Sequence, residues 1–325
     1  MRKLKLKAMV LSLLLVGGCT QSVLPDGEEE DRRTAEVSFN IGVSTRSDAA
    51  GASGDIRPEL HQHVKYVSLY LFEGDAFLAT EEVDWRQETG KTVEQNYTLK
   101  TKLDIGTKYT LFAVGMNEES IYQIPTENVT PATIYAKLAE GATADKRRTA
   151  EIFAGAVEYT PTESRETMSI TMNRRMAGIE ATFTSIPENT TLQVVAHQKQ
   201  NSAIALQKKT TDDYGSEPLT GDNANVLLTI TPDANGAGEA YGYVLPIRPA
   251  ESGATLSVVL RGQDDSVTGT YPVVLSDLEA GTDSKCFPLN ANQLYRLKGD
   301  LATGFRFYVT IQDLEEGGDY YYEYD

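Results

Sequence analysis

Histidine and cysteine are almost missing from this 325-residue chain, which has three of the first and two of the second. Catalytic and metal centres are ordinarily clusters of such groups. His61 and His63 could present two imidazoles on one side of a strand, but no third ligand stands near them in sequence, and no metal site is expected. There is no Gly-rich phosphate loop, no G-x-S-x-G turn, no H-E-x-x-H helix and no calcium loop. The carboxylates are many but unpatterned, and Asp212-Asp213 and Asp264-Asp265 read as solvated turn pairs. No enzyme and no cofactor are expected from this inventory. Strong basic patches are lacking too: the net charge is −17, and no cluster exceeds Lys146-Arg147-Arg148 or Arg174-Arg175. Nucleic acid, which needs a positive face to displace counterions, is excluded as a partner. Two cysteines cannot build a disulfide framework. Cys286, beside Phe287, reads as a small buried hydrophobe.

Long apolar runs are absent except at the start. Arg2, Lys3, Lys5 and Lys7 give a basic beginning, Ala8 to Val16 come next as an apolar run, and Gly17-Gly18 precede Cys19. That run is too short for a permanent membrane anchor and has the three-part build of a secretory signal. A cysteine directly after small residues is the pattern of a bacterial lipoprotein signal, in which Cys19 carries the lipid and residues 1–18 are removed. Acyl chains bind membrane at about 0.8 kcal/mol per buried CH2, so two or three of them hold firmly. Residues 20–34, TQSVLPDGEEEDRRT, read as a tether. Their block Glu28-Glu29-Glu30-Asp31 also suits a surface-export address. The expected placement is the outer membrane, at the cell surface.

Beyond the tether the chain is a succession of short strands. In Ala35–Arg46, Val37, Phe39, Ile41 and Val43 share one face, a period of two that marks a half-buried strand. SDAAGASG then reads as a small-residue loop. Strands are expected at residues 63–72, 94–103, 108–117, 152–159 and 166–172. Thr130-Pro131 with IYAKLAE behind it reads as a helix start, hydroxyl cap and proline at the first turn. A second set of strands is expected at 176–186, 191–197, 225–231, 239–245, 255–261, 269–275, 293–299, 304–312 and 320–324. Many short strands between Gly, Asn, Asp and Pro clusters, with little helix, specify an all-β chain of sandwiches. The length asks for two domains, 35–175 and 176–325, with the boundary near Arg174–Ala177. In the tail, Tyr320, Tyr322 and Tyr324 share one face, either packed on their own sheet or offered to a partner as an edge. Trp85 and the tyrosines could also form a sugar-stacking platform.

Several segments together resemble a known family. The lipobox is succeeded by one alternating strand ending in Thr45-Arg46, then by VKYVSLYLFEGDAF, MNRRMAGIEATF at the midpoint, LNANQLYRL and a last strand FRFYVTIQDLEEG. This order is similar to that of the Bacteroidales fimbrillin superfamily, the subunits and anchors of type V pili. Many relatives have a tryptophan at the end of the last strand, where this chain has Asp313-Leu314. The resemblance implies two transthyretin-like β-sandwiches and assembly with other pilus subunits by strand exchange. It implies a cut by an arginine-specific protease after Arg46, which would release Ala35–Arg46 as a plug strand carrying Val37, Phe39, Ile41 and Val43. Arg32 and Arg33 are chemically equivalent cut sites, and Arg46 is preferred for its place after the strand. An anchor-type relative would keep both Cys19 and the strand. The family reading gives a non-enzymatic fimbrial subunit, accessory, tip or anchor, with a host or bacterial surface ligand as a further partner. The competing reading is a surface lipoprotein that binds glycan or another ligand through a sandwich face.

Overall fold

Alternation of apolar and polar residues, repeated along short segments, is what builds this molecule. The computed structural model describes residues 33–43, 64–85, 94–118, 121–207, 214–221, 224–277 and 282–313. Cys19, Arg46, His61, His63, Asp212, Asp213, Tyr320, Tyr322 and Tyr324 lie outside them. The first half contains β1 (Thr34–Val43), β2 (Tyr66–Glu73), β3 (Ala76–Val83), β4 (Gln95–Thr98), β5 (Leu103–Asp104), β6 (Tyr109–Met116), β7 (Tyr122–Gln123), β8 (Tyr135–Leu138), a short helix α1 (Ala144–Thr149), β9 (Ile152–Tyr159) and β10 (Arg165–Arg174). The second contains β11 (Ala177–Thr184), β12 (Thr190–Ala196), β13 (Asn201–Ala205), β14 (Ser216–Pro218), β15 (Val226–Ile230), β16 (Gly238–Val244), β17 (Leu256–Gly262), β18 (Val267–Asp277), β19 (Thr282–Ser284), β20 (Gln293–Asp300) and β21 (Phe307–Asp313).

The first sheet runs β3-β2-β6-β9-β10-β1-β4, with β5 also on β1. It curls over itself. Val67, Leu69 and Leu71 of β2 pack in the same core as Val37, Phe39 and Ile41 of β1, so the two ends of the sheet form the two layers of a sandwich. The second sheet runs β15-β12-β17-β18-β21-β20-β11-β16, with β19 on β18, and closes around Phe183, Val194, Val258, Tyr295 and Phe307. The two halves repeat a theme. In each, the first strand lies parallel to a late strand and antiparallel to another: β1 on β10 and β4, β11 on β20 and β16. The second half adds β21 between β18 and β20.

A third, four-stranded sheet, β14-β13-β8-β7, takes strands from both sides of the Arg174–Ala177 boundary. Beneath it lies a core made of Phe72, Phe112 and Ile152 from the first half and Ile204, Tyr243 and Leu294 from the second. This accounts for β6, whose YTLFAVGM is buried at every position. Leu111 and Ala113 face the first sandwich core, while Phe112 and Val114 face the shared one. A strand covered on both sides reads as a continuous apolar run rather than an alternation.

The structure corrects one expectation of the secondary structure and adds a strand. Residues 134–138 are not helical: Thr133 and Ile134 donate to the Thr130 carbonyl in a single turn, and Tyr135–Leu138 is strand β8. Ile134 and Ala136 are buried while Lys137 is exposed, so the period of two outweighs the capping signal. Among the described residues the α-helix is α1, capped by Thr143, whose side chain accepts from the Lys146 amide. The added strand is β3, which β2 enters through a hairpin turn at Gly74-Asp75. Gly74 takes φ +57° at the first central position, in the left-handed region that hairpin turns favour.

The basic pair Arg174-Arg175 is not a surface patch. It is buried at the junction, and the guanidinium of Arg174 meets Glu151 at 2.9 Å with 4% and 0% of the two side chains exposed. It also lies 5.1 Å from the Phe153 ring centroid and 5.2 Å from that of Tyr243. Burial pushes the Tyr243 hydroxyl well above its usual pKa, and the Arg174 charge only partly offsets this. Arg175 donates to the Ala205 carbonyl at 3.0 Å, tying the junction to β13. Removing one member of a buried ion pair strands the other charge, which typically costs about 3–5 kcal/mol, whereas an apolar replacement of both is often neutral. Glu151→Gln and Arg174→Met are therefore each expected to destabilise by about 3–5 kcal/mol in urea unfolding, and Glu151→Leu with Arg174→Met to recover most of the loss.

Candidate functional site

Four residues singled out from the sequence as a plug-strand set, Val37, Phe39, Ile41 and Val43, fall among the described ones and lie on β1. This ten-residue strand alternates as expected: Ala35, Val37, Phe39, Ile41 and Val43 are 0, 0, 1, 0 and 3% exposed. Ser38 and Asn40, between them, are half-buried, and Glu36 with them. β1 is an interior strand with hydrogen-bonding partners on both sides. On one side it runs parallel to β10 from Glu36↔Arg165 to Val43↔Met172. On the other it runs antiparallel to β4, from Ser38↔Thr98 to Ile41↔Gln95, and meets β5 at Ala35↔Leu103. The Leu99 amide donates to the Val37 carbonyl at 2.9 Å and the Glu36 amide to the Ser164 carbonyl at 2.9 Å. All these partners are distant in sequence. The chain's covalent path from β1 to β2 runs through residues 44–65, which include Arg46.

The outer face of β1 adds polar cross-strand contacts. Glu36 meets Lys102 at 3.3 Å and Arg165 at 3.9 Å, Ser38 and Thr98 share a hydroxyl bond of 2.7 Å, and Asn40 donates to Glu94 at 3.2 Å. Exposed ion pairs of this kind are worth about 0–1 kcal/mol. The apolar inner face carries the energy, at roughly 1.5–3 kcal/mol for each fully buried large side chain.

Two carboxylates fix the strands that flank β1. Glu81 on β3 accepts the Tyr97 hydroxyl at 2.9 Å, the Lys100 amide at 2.9 Å and the Thr101 amide at 2.8 Å. Burial alone would raise its pKa, but the Lys100 and Thr101 amides and the Tyr97 hydroxyl outweigh it and hold the carboxyl below its usual range. Burial and the Glu81 charge push Tyr97 up to about 12. Glu166, next to Val37 in the sheet, accepts the amides of Thr162 and Glu163 at 2.6 Å each, which lowers it to about 2.

Other singled-out residues serve structure. Trp85 is half-buried against the first core. Asp264 closes its turn on the Ser266 amide and hydroxyl at 3.2 and 2.6 Å. His197 bonds Ser257 at 2.8 Å. Cys286 corrects the sequence reading: it is exposed, and its thiol lies 3.0 Å from the Gly253 carbonyl. The neighbouring Phe287 occupies the core instead, so the inward place goes to the larger side chain. Among the described residues no group of three or more His, Cys, Asp or Glu could hold a metal. The Glu81 cluster carries no signal in the sequence, because its partners sit on another strand and a turn.

No family model matches the chain, and no curated protein matches it. Solved structures do. A candidate adhesin from Bacteroides ovatus aligns with TM-score 0.50 and 15% identity, over 82% of this chain and 89% of that one. A candidate polysaccharide-binding protein from Bacteroides thetaiotaomicron aligns with TM-score 0.50 and 15% identity, over 87% of this chain and 99% of its own. The fimbrial anchor protein Mfa2 from Porphyromonas gingivalis aligns more loosely, with TM-score 0.43 and 14% identity, over 86% and 98%. This chain shares the β-sandwich fold of these two Bacteroides proteins. The all-β sandwich fold that the resemblance implies is met at that level.

Two predictions arise from the geometry. Phe39→Ala, a large-to-small change in a full core, should cost about 3–5 kcal/mol in denaturant unfolding, while Glu36→Gln on the outer face should cost under about 1 kcal/mol. For pH, both carboxylates titrate lower in the folded state than in the unfolded one. Their contribution is present above about pH 4.3 and is lost as pH falls through the folded values, about 2 for Glu166. The variant Glu81→Gln with Glu166→Gln should flatten the acid limb of the stability curve and leave the slope above pH ~6 unchanged.

Proposed function

We propose that this chain is a non-enzymatic structural subunit of a cell-surface fimbria, accessory, tip or anchor, assembled by β-strand exchange with other subunits. The observation that carries the reading is the position of β1. Its inner face fills a sandwich core, and its hydrogen bonds all go to strands remote in sequence. A cut after Arg46 would leave β1 held by noncovalent contacts alone. Its departure would uncover a groove lined by Leu69, Leu111, Phe153 and Ile170, with unpaired N–H and C=O groups on β10 and β4. A strand from another subunit fits such a groove by main-chain pairing and alternate side-chain sockets. The candidate adhesin of like fold supports this reading.

In this reading residues 1–18 are a signal peptide and residues 19–34 a lipidated tether, and Cys19 holds the subunit on the outer membrane. The two sandwiches, 35–175 and 176–325, are the tandem domains, and Tyr320, Tyr322 and Tyr324 form a partner-contact strand. The second reading is a surface lipoprotein that binds glycan, favoured by the like fold of the candidate polysaccharide-binding protein.

Protein purified from the surface of the expressing bacterium separates a cleaved, strand-exchanging subunit from the glycan binder. An accessory or tip subunit should begin at Ser47 by N-terminal sequencing and run as a heat-labile ladder on gels, whereas an anchor would keep lipid on Cys19. Arg46→Ala should abolish the ladder and keep lipid on Cys19. A lipidated N-terminus in the unmodified protein together with only a monomer band would rule out the cleaved, exchanged subunit and leave the anchor and the glycan binder.

A further inference from the structure

On a chain of net charge −17, a cleft of about 350 Å³ is lined, among the described residues, without a carboxylate. Its lining includes Gln198, Lys199, Asn201, Tyr214, Pro218 and Arg248. Its volume lies at the lower end of the range of about 300–1,000 Å³ in which ligand pockets fall, enough for one or two sugar units.

The cleft is rigidly framed. Arg248 stands in Pro246-Ile247-Arg248-Pro249, and Ile247 exchanges both backbone bonds with Leu289 at 3.0 and 2.9 Å. Lys199 sits in the turn between β12 and β13. There the His197 amide donates to the Thr255 carbonyl at 2.9 Å, the Gln200 amide to that of Ala224 at 3.1 Å, and the Gln200 side chain to that of Val226 at 2.9 Å. Gly215 lets the chain entering β14 lie tight on β13, since a Cβ there would come within 2.6 Å of the Asn201 Cβ and 2.8 Å of the Ala203 carbonyl. The Arg248 guanidinium lies 5.2 Å from the Tyr214 ring centroid, which orients it without neutralising it. Among the described residues neither Lys199 nor Arg248 has an ion-pair partner. Gln198 and Asn201 each direct their side-chain N–H to a proline carbonyl, at 3.3 and 3.1 Å. This leaves each amide oxygen as an acceptor.

We propose that this cleft binds a saccharide carrying one carboxylate-bearing sugar on an otherwise neutral chain. Lys199 and Arg248 take the carboxylate by charge-assisted hydrogen bonds. The amide oxygens of Gln198 and Asn201 accept hydroxyl groups, and the Tyr214 and Pro218 surfaces cover the C–H face of the ring. The lining lacks an aliphatic socket for a peptide side chain. The net negative charge of the chain opposes a polyanion, which places the single charge at this cleft. The site stands on its own geometry and does not depend on strand exchange.

The test uses the folded mature protein with 3′-sialyllactose, lactose, a heparin oligosaccharide and acetate as probes, read by calorimetry and saturation-transfer NMR. Sialyllactose should bind at least about tenfold more tightly than lactose. Arg248→Ala and Lys199→Ala should each weaken sialyllactose binding by about tenfold or more and leave the thermal melt unchanged, since both side chains are exposed. The proposal is overturned by the absence of sialyllactose binding, by equal binding of lactose, or by binding that survives both substitutions. Heparin binding more tightly than sialyllactose would overturn the single-charge requirement. Acetate competing as strongly as sialyllactose would overturn the saccharide.

Discussion

Every backbone N–H and C=O in a buried sheet must find a partner, and β1 shows how much of this fold hangs on that rule. Among the described residues the strand is the covering of the facing edges of β10 and β4, and its five inward residues complete the first core. The far layer cannot relax around its loss, because β2, β6 and β9 are fixed by the shared core behind them. An interior strand that completes a core, yet is joined to its neighbours only by hydrogen bonds and packing, is what the proposed exchange would require. Whatever replaces it must match ladder and sockets together.

The junction explains why such a loss need not unravel the rest. Glu151, Arg174 and Tyr243 pack with Phe153 between the two halves, and the small sheet bridges them through β8 and β13. The end of β10 that carries Arg174 pairs with β9, while its start pairs with β1. One strand therefore pairs with β1 along most of its length and joins the junction at its far end.

Much of the architecture is legible in the sequence, and the failures have physical causes. The bounds expected for β9 match to the residue and those for β1 to within a few, because both are bounded by turn residues and one face or both are buried. The helix expected after Thr130 is a strand because tertiary pairing with β13 outweighs a good cap. β3, β7, β13, β14 and β19 leave little trace: they are short or edge strands whose place is set by pairing rather than by their own pattern. The candidate site divides the same way. The inward set Val37, Phe39, Ile41 and Val43 is plain from alternation. The Glu81 cluster and the Lys199–Arg248 cleft are not, since their members come from separate segments with no shared motif.

The central claim, that β1 is a separable strand filling a specific groove, is tested most directly in trans. The protein beginning at Ser47 would be mixed with a fluorescent peptide of residues 34–46, and binding and thermal stability measured together. A separable strand predicts slow, long-lived capture, a melting temperature restored toward that of the intact chain, and failure of a peptide carrying Phe39→Ala. A protein lacking residues 1–46 that is as stable as the intact chain and ignores the peptide would contradict it.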